Sequence, residues 1–210
     1  MAIQNGGQAG LPVAPLRSSS AASSIVASPM PTFVALLRGI NVGKAKRIPM
    51  AELRDLLTGL GYSGVATLLN SGNAVFRTTK ATPARLATAI TEAISTHLKI
   101  DVPVIVKTAQ DLSAIVSGNP LAASAADHSR LLVAFTQDAK ALAGLKAIER
   151  SVVKPERFGI GDHAAYLHCV NGILDSKAGK ALLGTAGKAA TTRNWSTVLK
   201  LHAMAIASDA

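Results

Sequence analysis

Aromatic and acidic side chains are the scarce components of this chain. Four Phe, two Tyr and one Trp supply 3 % of its 210 residues, too few for the stacked rings on which sequence-tolerant single-strand binders rely. Cys169 is the only cysteine, which excludes an internal disulfide framework and a cysteine-rich zinc site. No apolar run approaches the ~20 residues that a membrane-crossing helix needs, so no membrane partner is expected. Twelve acids face 22 Lys and Arg, a net charge of +10, yet charged residues of both signs amount to only 16 %. The surplus therefore reflects missing acids more than dense basic tracts. It sits in two segments: residues 31–80 carry seven Lys and Arg against two acids, and residues 131–200 carry ten against five. Hydrophobic residues at 49 % suffice for a proper core and exclude a wholly disordered chain. A soluble protein of a reducing compartment, hence of the cytoplasm, is the expectation.

Residues 1–30 stand apart, rich in Ser, Ala, Gly and Pro with Arg17 as their only charged side chain. They lack the basic start and continuous apolar stretch of a secretory signal. The missing acids would suit a transit peptide, which a single arginine supports only thinly. A disordered tail and a true start at Met30 are the two readings, and both leave the segment out of the fold.

From residue 32 the hydrophobic pattern alternates between strand and helix periods. Residues 32–38 form a short apolar run suited to a buried strand. After a loop over 39–48, Pro49 offers a first helical position. Met50, Leu53, Leu56, Leu57 and Leu60 then recur at helical spacing, and Gly61 is the stop. Residues 65–70 and 74–78 read as strands joined by Ser71, Gly72 and Asn73, a run whose Gly and Asn tolerate positive φ in a tight turn. Thr82 and Pro83 open a helix reaching about Leu98, and 102–107 is a fourth strand. The order βαββαβ is the ferredoxin-like arrangement. A capping box at Thr108 and Asp111 starts a short helix that ends near Gly118. The second half repeats the plan, with a strand at 130–136, a helix at 138–150, strands at 156–160 and 163–170, a helix at 176–183 and a last helix after Asn194. The expected class is α+β: two ferredoxin-like βαββα(β) halves from an apparent duplication, at 31–117 and 130–210, joined by a linker at 118–129.

Residues 39–44, GINVGK, invite comparison with a P-loop. Only three residues separate the glycines, however, and Ala45 follows the lysine where Ser or Thr is required. The physics of such loops still applies. Gly39 and Gly43 allow close backbone approach, Lys44, Lys46 and Arg47 bring three cations together, and the loop feeds a helix N-terminus that favours anions. In the expected sheet the carboxyl end of the first strand lies beside the amino end of the third, which brings residues 38–46 and the turn 70–73 to one edge. Two ordinary surface turns would account for the same sequence. Residues 191–195, TTRNW, hold an arginine suited to bidentate contact with a carboxylate or phosphate, and Thr192 or Asn194 can cap the apolar helix that follows. Trp195 serves equally as a core anchor. Ser176 and Lys177 either start a helix or offer a hydroxyl and an ammonium to an anion. The five histidines make no metal-ligand pattern, so no metal or cofactor is expected. Cys169 reads as an inert buried thiol, and no nucleophile–base pair can be nominated. The third strand, AVFRT, lacks the aromatic pair of an RNA-recognition platform.

ALLRGINVG (35–43), Met50 with Leu53, LNSGNAVF (69–76), Ser176 with Lys177, and TTRNWSTVLKL (191–201) occur in this order. Together they resemble the family known as domain of unknown function 1697. The likeness spans residues 32–205 and implies a two-part α+β fold without an assigned activity. Its signature positions fall here on Arg38, Gly39, Asn41, Gly43, Ser71, Gly72, Asn73, Arg193, Asn194 and Trp195. Lys44 and Ala45 replace the family's usual glycine and asparagine-containing stretch, and Leu68 stands where an aromatic is usual. The expected function is binding of an anionic, phosphate-bearing small molecule or nucleotide in a polar cleft. The candidate residues are Arg38, Gly39, Asn41, Gly43, Lys46, Ser71, Gly72, Asn73, Lys177, Arg193 and Asn194, with Arg38 and Arg193 as charge clamps. Two alternatives stand beside it. One is a nucleic-acid-binding accessory protein using its basic surface. The other is structural, with Arg193, Asn194 and Trp195 locking the two halves together.

Overall fold

The computed structural model describes residues 1–3, 30–42 and 46–209. The expectation for the first thirty residues falls mainly on 4–29, outside the described residues. β1 (Thr32–Leu37) is buried along its whole length. It pairs antiparallel with β3 (Asn73–Arg77) on one side and β4 (Val104–Thr108) on the other, and β2 (Ser63–Leu68) completes the order β2-β3-β1-β4. α1 (Met50–Gly59) follows β1, α2 (Pro83–Leu98) follows β3, and α3 (Ala109–Ser117) follows β4. The second sheet has the matching order β6-β7-β5-β8, from β5 (Leu131–Thr136), β6 (Arg157–Ile160), β7 (Ala164–His168) and β8 (Ala190–Asn194). Its helices are α4 (Ala139–Gly144), α5 (Lys177–Leu183) and α6 (Trp195–Asp209). The chain is thus mixed α and β, with two four-stranded antiparallel sheets and six α-helices among the described residues.

Local sequence explains these elements. α2 starts at Pro83 behind Thr82, buries Leu86, Ala87, Ile90 and Ile94 on one face, and ends as Lys99 turns left-handed at φ 57°. α3 is opened by its capping box, with the Asp111 N–H on Thr108 Oγ1 at 2.9 Å and the Thr108 N–H on Asp111 Oδ2 at 3.1 Å. Three expectations need correction. The segment 190–194 is a strand, concealed by its polar sequence. The helix expected over 138–150 is α4 followed by a 3-10 segment, Leu145–Ser151. Pro49 caps α1 in extended geometry rather than lying inside it.

Strand alternation gives each sheet two buried faces. One face of the first sheet (Phe33, Ala35, Leu37, Ala74, Phe76) packs on Leu53 and Leu57 of α1 and Ile90 and Ile94 of α2. In the second sheet Leu132, Ala134, Ala165 and Leu167 pack on Leu142, Ile148 and Leu182. The opposite faces share one cluster, in which Val34, Leu36 and Val75 join Val133, Phe135 and Tyr166 around Leu112 and Ile115 of α3 and Trp195, Val198 and Leu201 of α6. Phe76 stacks against Tyr62 at 4.6 Å and Phe33 at 5.9 Å inside a covered face, so the third-strand ring is not offered to a base. No helix among the described residues is long and apolar enough to cross a membrane. Because the cluster around α6 belongs to both sheets, Leu201→Ala is expected to cost about 2–5 kcal/mol and to lower one shared transition. Urea unfolding followed by far-ultraviolet circular dichroism and Trp195 fluorescence checks this, and the two probes should coincide.

Candidate functional site

Arg193 stands opposite Val133 in the β5–β8 register, so its side chain turns toward the face between the sheets. It is 8 % exposed and reaches into the other half. Nη2 donates to the carbonyls of Leu37 (2.8 Å), Ser71 (3.0 Å) and Gly72 (3.1 Å), and Nε donates to Asn73 Oδ1. Nη1 donates to Thr191 Oγ1 (2.9 Å) and the Thr192 carbonyl (2.7 Å). None of these acceptors is ionised. Burial without a counter-charge pulls the Arg193 pKa down to about 10. That shift corresponds to a penalty of about 3 kcal/mol, whereas a hydrogen bond to a charged group contributes about 1.5–3 kcal/mol. The set of bonds offsets the cost of burying the cation. It also leaves the guanidinium no donor for a ligand.

The acceptors are presented by local structure. Asn73 is fully buried, and its Nδ2 donates to the Leu68 carbonyl (2.8 Å) and Ser71 Oγ (3.0 Å), which leaves Oδ1 facing Arg193. Gly72 sits at φ +76°, and a Cβ there would come within 2.7 Å of both Leu37 and Ile40. Only glycine lets the turn press this closely on the end of β1. Arg38 bonds in the reciprocal direction, with Nη1 on the Lys188 carbonyl and Nη2 on the Leu183 carbonyl at 3.1 Å. Gln137 follows β5 as Arg38 follows β1. Its side chain pairs with both backbone groups of Val106 on the outer edge of β4, at 3.0 and 3.3 Å. A residue of each half thus reaches backbone of the other half, Gln137 on the outer strand β4 and Arg38 on the end of α5 and the loop before β8. Asn194 Oδ1 caps α6 by accepting from the Thr197 N–H at 2.9 Å, and Trp195 is buried in the shared cluster.

A second feature lies beside the same turn. Asn41 is left-handed at φ 55°. Its N–H donates to the Lys46 carbonyl (3.1 Å), and its Nδ2 to the carbonyls of Ile48 (3.0 Å) and Asn70 (2.6 Å). Its Oδ1 accepts from the Ile48 N–H at 2.9 Å. This leaves a concavity of about 350 Å³ lined by Asn41, Arg47, Ile48, Pro49, Met50 and Asn70. α1 begins at its wall with no side-chain cap, so the first-turn N–H groups have no side-chain acceptor. Arg47 is exposed there, and Lys46 Nζ donates to the Asp101 carbonyl at 2.8 Å. Among the described residues the one ion pair is Arg130–Asp127, at 3.1 Å and far in sequence from this loop.

The structure brings Arg38, Ser71, Gly72, Asn73 and Arg193 into one seam between the halves. It places Asn41 on the concavity, with Gly39 and Lys46 in the same loop. Gly43 lies outside the described residues. Asn194 serves α6. Lys177 is at the opposite end of α5 from Leu183 and lines a separate hollow of about 210 Å³ with Glu156, Asn171 and Asp175. Sequence reasoning left Asn70 and Arg47 off the candidate set. The available signal was a basic residue directly before the Ile48–Pro49 helix entrance. Cys169 is fully buried, and burial, with a smaller push from Glu156, raises its thiol pKa, the neighbouring Ser176 opposing in part. Among the described residues no group of three His, Cys, Asp or Glu stands close enough to hold a metal ion.

The model of a family described as protein of unknown function DUF1697 matches residues 30–166. The chain belongs to that family. No curated protein matches it. Among solved structures, this DUF1697 chain is similar to the conserved bacterial protein SP0830 from Streptococcus pneumoniae. The TM-score is 0.71 at 26 % identity, over 84 % of this chain and 99 % of that one. Protein BT0572 from Bacteroides thetaiotaomicron, at 13 % identity and a TM-score of 0.20 over 82 % of this chain and 99 % of that one, carries no argument about fold. Two outcomes are expected for this DUF1697 member. Arg193→Ala should lower stability in urea by about 3 kcal/mol or more, and Arg193→Lys should recover only part of it. Cys169 should resist an aromatic disulfide reagent in the native state at mildly alkaline pH and react once urea unfolds the chain.

Proposed function

We propose that this protein binds an anionic, phosphate-bearing small molecule in the concavity between the Asn41 loop and the start of α1. The observation that carries the reading is a set of cations without acidic partners around an uncapped helix start. Arg38, Lys46 and Arg193 all donate to neutral carbonyl or amide oxygens, and Arg47 is exposed at the rim. None of them forms an ion pair among the described residues, and set against the one acid of the first turn, Glu52, their charge favours an anion at the concavity. First-turn N–H groups add the geometry that phosphate oxygens accept. The volume falls at the small end of ligand sites, which span about 300–1,000 Å³. Relative to the sequence expectation, Asn41, Gly39 and Lys46 stay in the site and Arg47 and Asn70 join it. Arg38 and Arg193 act through the seam, and Lys177 and Asn194 drop out.

The reading extends to architecture and location. The halves, 31–117 and 130–210 around a connection at 118–129, are taken as ferredoxin-like repeats of one ancestral unit because element order and strand order coincide. The cytoplasm suits a chain whose single cysteine is a buried free thiol. Both faces of both sheets are covered over the inner strands, which favours a small ligand over a nucleic acid stacked on an open sheet. Isothermal titration with inorganic pyrophosphate tests the proposal. Binding is expected in wild type, weakening steeply with salt, and Arg47→Ala should abolish it without changing the melting temperature. Absent binding, or binding that survives Arg47→Ala, would overturn it. A single-stranded oligonucleotide titrated in parallel separates the nucleic-acid alternative.

A further inference from the structure

We propose that Arg193 is a positioning residue for the concavity in the opposite half, so that the seam between the halves sets the shape of the binding loop. The connection runs through hydrogen bonds and one peptide link, Asn70–Ser71. Arg193 holds the carbonyls of Ser71 and Gly72 and the side chain of Asn73. The residue before Ser71 is Asn70, whose carbonyl accepts from Asn41 Nδ2 at 2.6 Å. Asn41 in turn holds Ile48 through both of its side-chain polar atoms, at 3.0 and 2.9 Å. Asn41, Ile48 and Asn70 are three of the six residues that line the concavity. There is little slack along this path. Gly72 touches Ile40 and Leu37 so closely that even a Cβ would clash, and the Gly72 carbonyl also accepts from the Leu37 N–H at 2.8 Å.

The planar guanidinium is needed because its acceptors lie in three directions around one plane, which an ammonium cannot reproduce. The register-equivalent residue of the first half makes the contrast. Lys107 stands opposite Val34 as Arg193 stands opposite Val133. It is likewise buried, at 9 % exposure, but its ammonium faces the acids Asp111 and Asp138 where Arg193 meets only neutral oxygens. The Arg193 side is thus held by a buried guanidinium and its counterpart by the neutral Gln137 contact with Val106, and it is the Arg193 side that abuts the concavity. Ligand in the concavity and closure of the Arg193 seam then favour each other reciprocally. The ligand part of this inference rests on the anion-binding reading, whereas the loop part does not.

Residue-resolved amide exchange on the full chain tests the loop part, in wild type, Arg193→Lys and the milder Thr191→Val. The Asn41 and Ile48 amides should exchange about tenfold faster in Arg193→Lys, and less so in Thr191→Val. Leu57 of α1 should be unchanged where exchange proceeds by local opening. Unchanged loop amides, or equal acceleration of every amide, would overturn the proposal. Pyrophosphate titration adds the second arm. Arg193→Lys should weaken binding about tenfold, while Arg47→Ala removes binding with the loop amides unaltered. Faster loop exchange with unaltered affinity overturns the positioning role. If pyrophosphate does not bind wild type, the anion-binding reading falls and the exchange result alone decides whether Arg193 shapes the loop.

Discussion

A guanidinium withdrawn from water must find an acceptor for each N–H in a fixed plane, and Arg193 finds most of them on the other half of the molecule. This constraint organises what surrounds it. The end of β1 must expose the Leu37 carbonyl, and the turn after β2 must run left-handed at Gly72 so that two successive carbonyls point the same way. Asn73 must spend its amide on Leu68 and Ser71 to present an oxygen. Displacing one half against the other breaks several charge-assisted bonds together, in surroundings where each is stronger than in water. Since every acceptor is neutral, the arrangement also leaves a positive charge inside the protein.

Hydrophobic burial and this polar seam have different tasks. The shared cluster around α3 and α6 supplies the non-directional attraction between the sheets. Direction comes from polar contacts that cross it. These are Arg193 and Arg38 at one end, Gln137 on Val106 at the other, and Tyr166, whose hydroxyl donates to the Ile115 carbonyl at 2.8 Å. Burial, with a smaller push from Asp162, raises the Tyr166 pKa to about 12, so the phenol stays a donor at any physiological pH. Burial lowers the Lys107 pKa, partly offset by Asp111 and Asp138, so the first half's counterpart to Arg193 has acidic neighbours that Arg193 lacks. Two halves of matching strand order thus differ at this register-equivalent position, one of several that join them.

Much of the fold was legible because hydrophobic period and caps are local signals. The Thr82–Pro83 start, the Thr108–Asp111 capping box and the Ser71–Asn73 turn all follow from a few adjacent residues. β8 was not legible, since Ala-Thr-Thr-Arg-Asn is held extended by pairing with β5 some sixty residues earlier in the chain. The site was half legible for a related reason. The sequence shows that residue 193 is an arginine at the entrance of a helix, which suits a ligand clamp and a structural bolt alike. What separates them is whether its donors meet water or carbonyls, and that depends on packing between elements. Asn41 and the basic loop were visible as glycine and charge. The role of Asn70 was not, because it acts through a backbone carbonyl that any residue possesses.

The central claim is that the Arg193–Asn73 contact joins the halves cooperatively. A double-mutant cycle measures it directly, using urea unfolding of wild type, Arg193→Ala, Asn73→Ala and the double variant. The expected coupling energy is about 2 kcal/mol, near the upper part of the range for residues in one hydrogen-bond network. A coupling below about 0.5 kcal/mol, the additivity expected of independent sites, would contradict it.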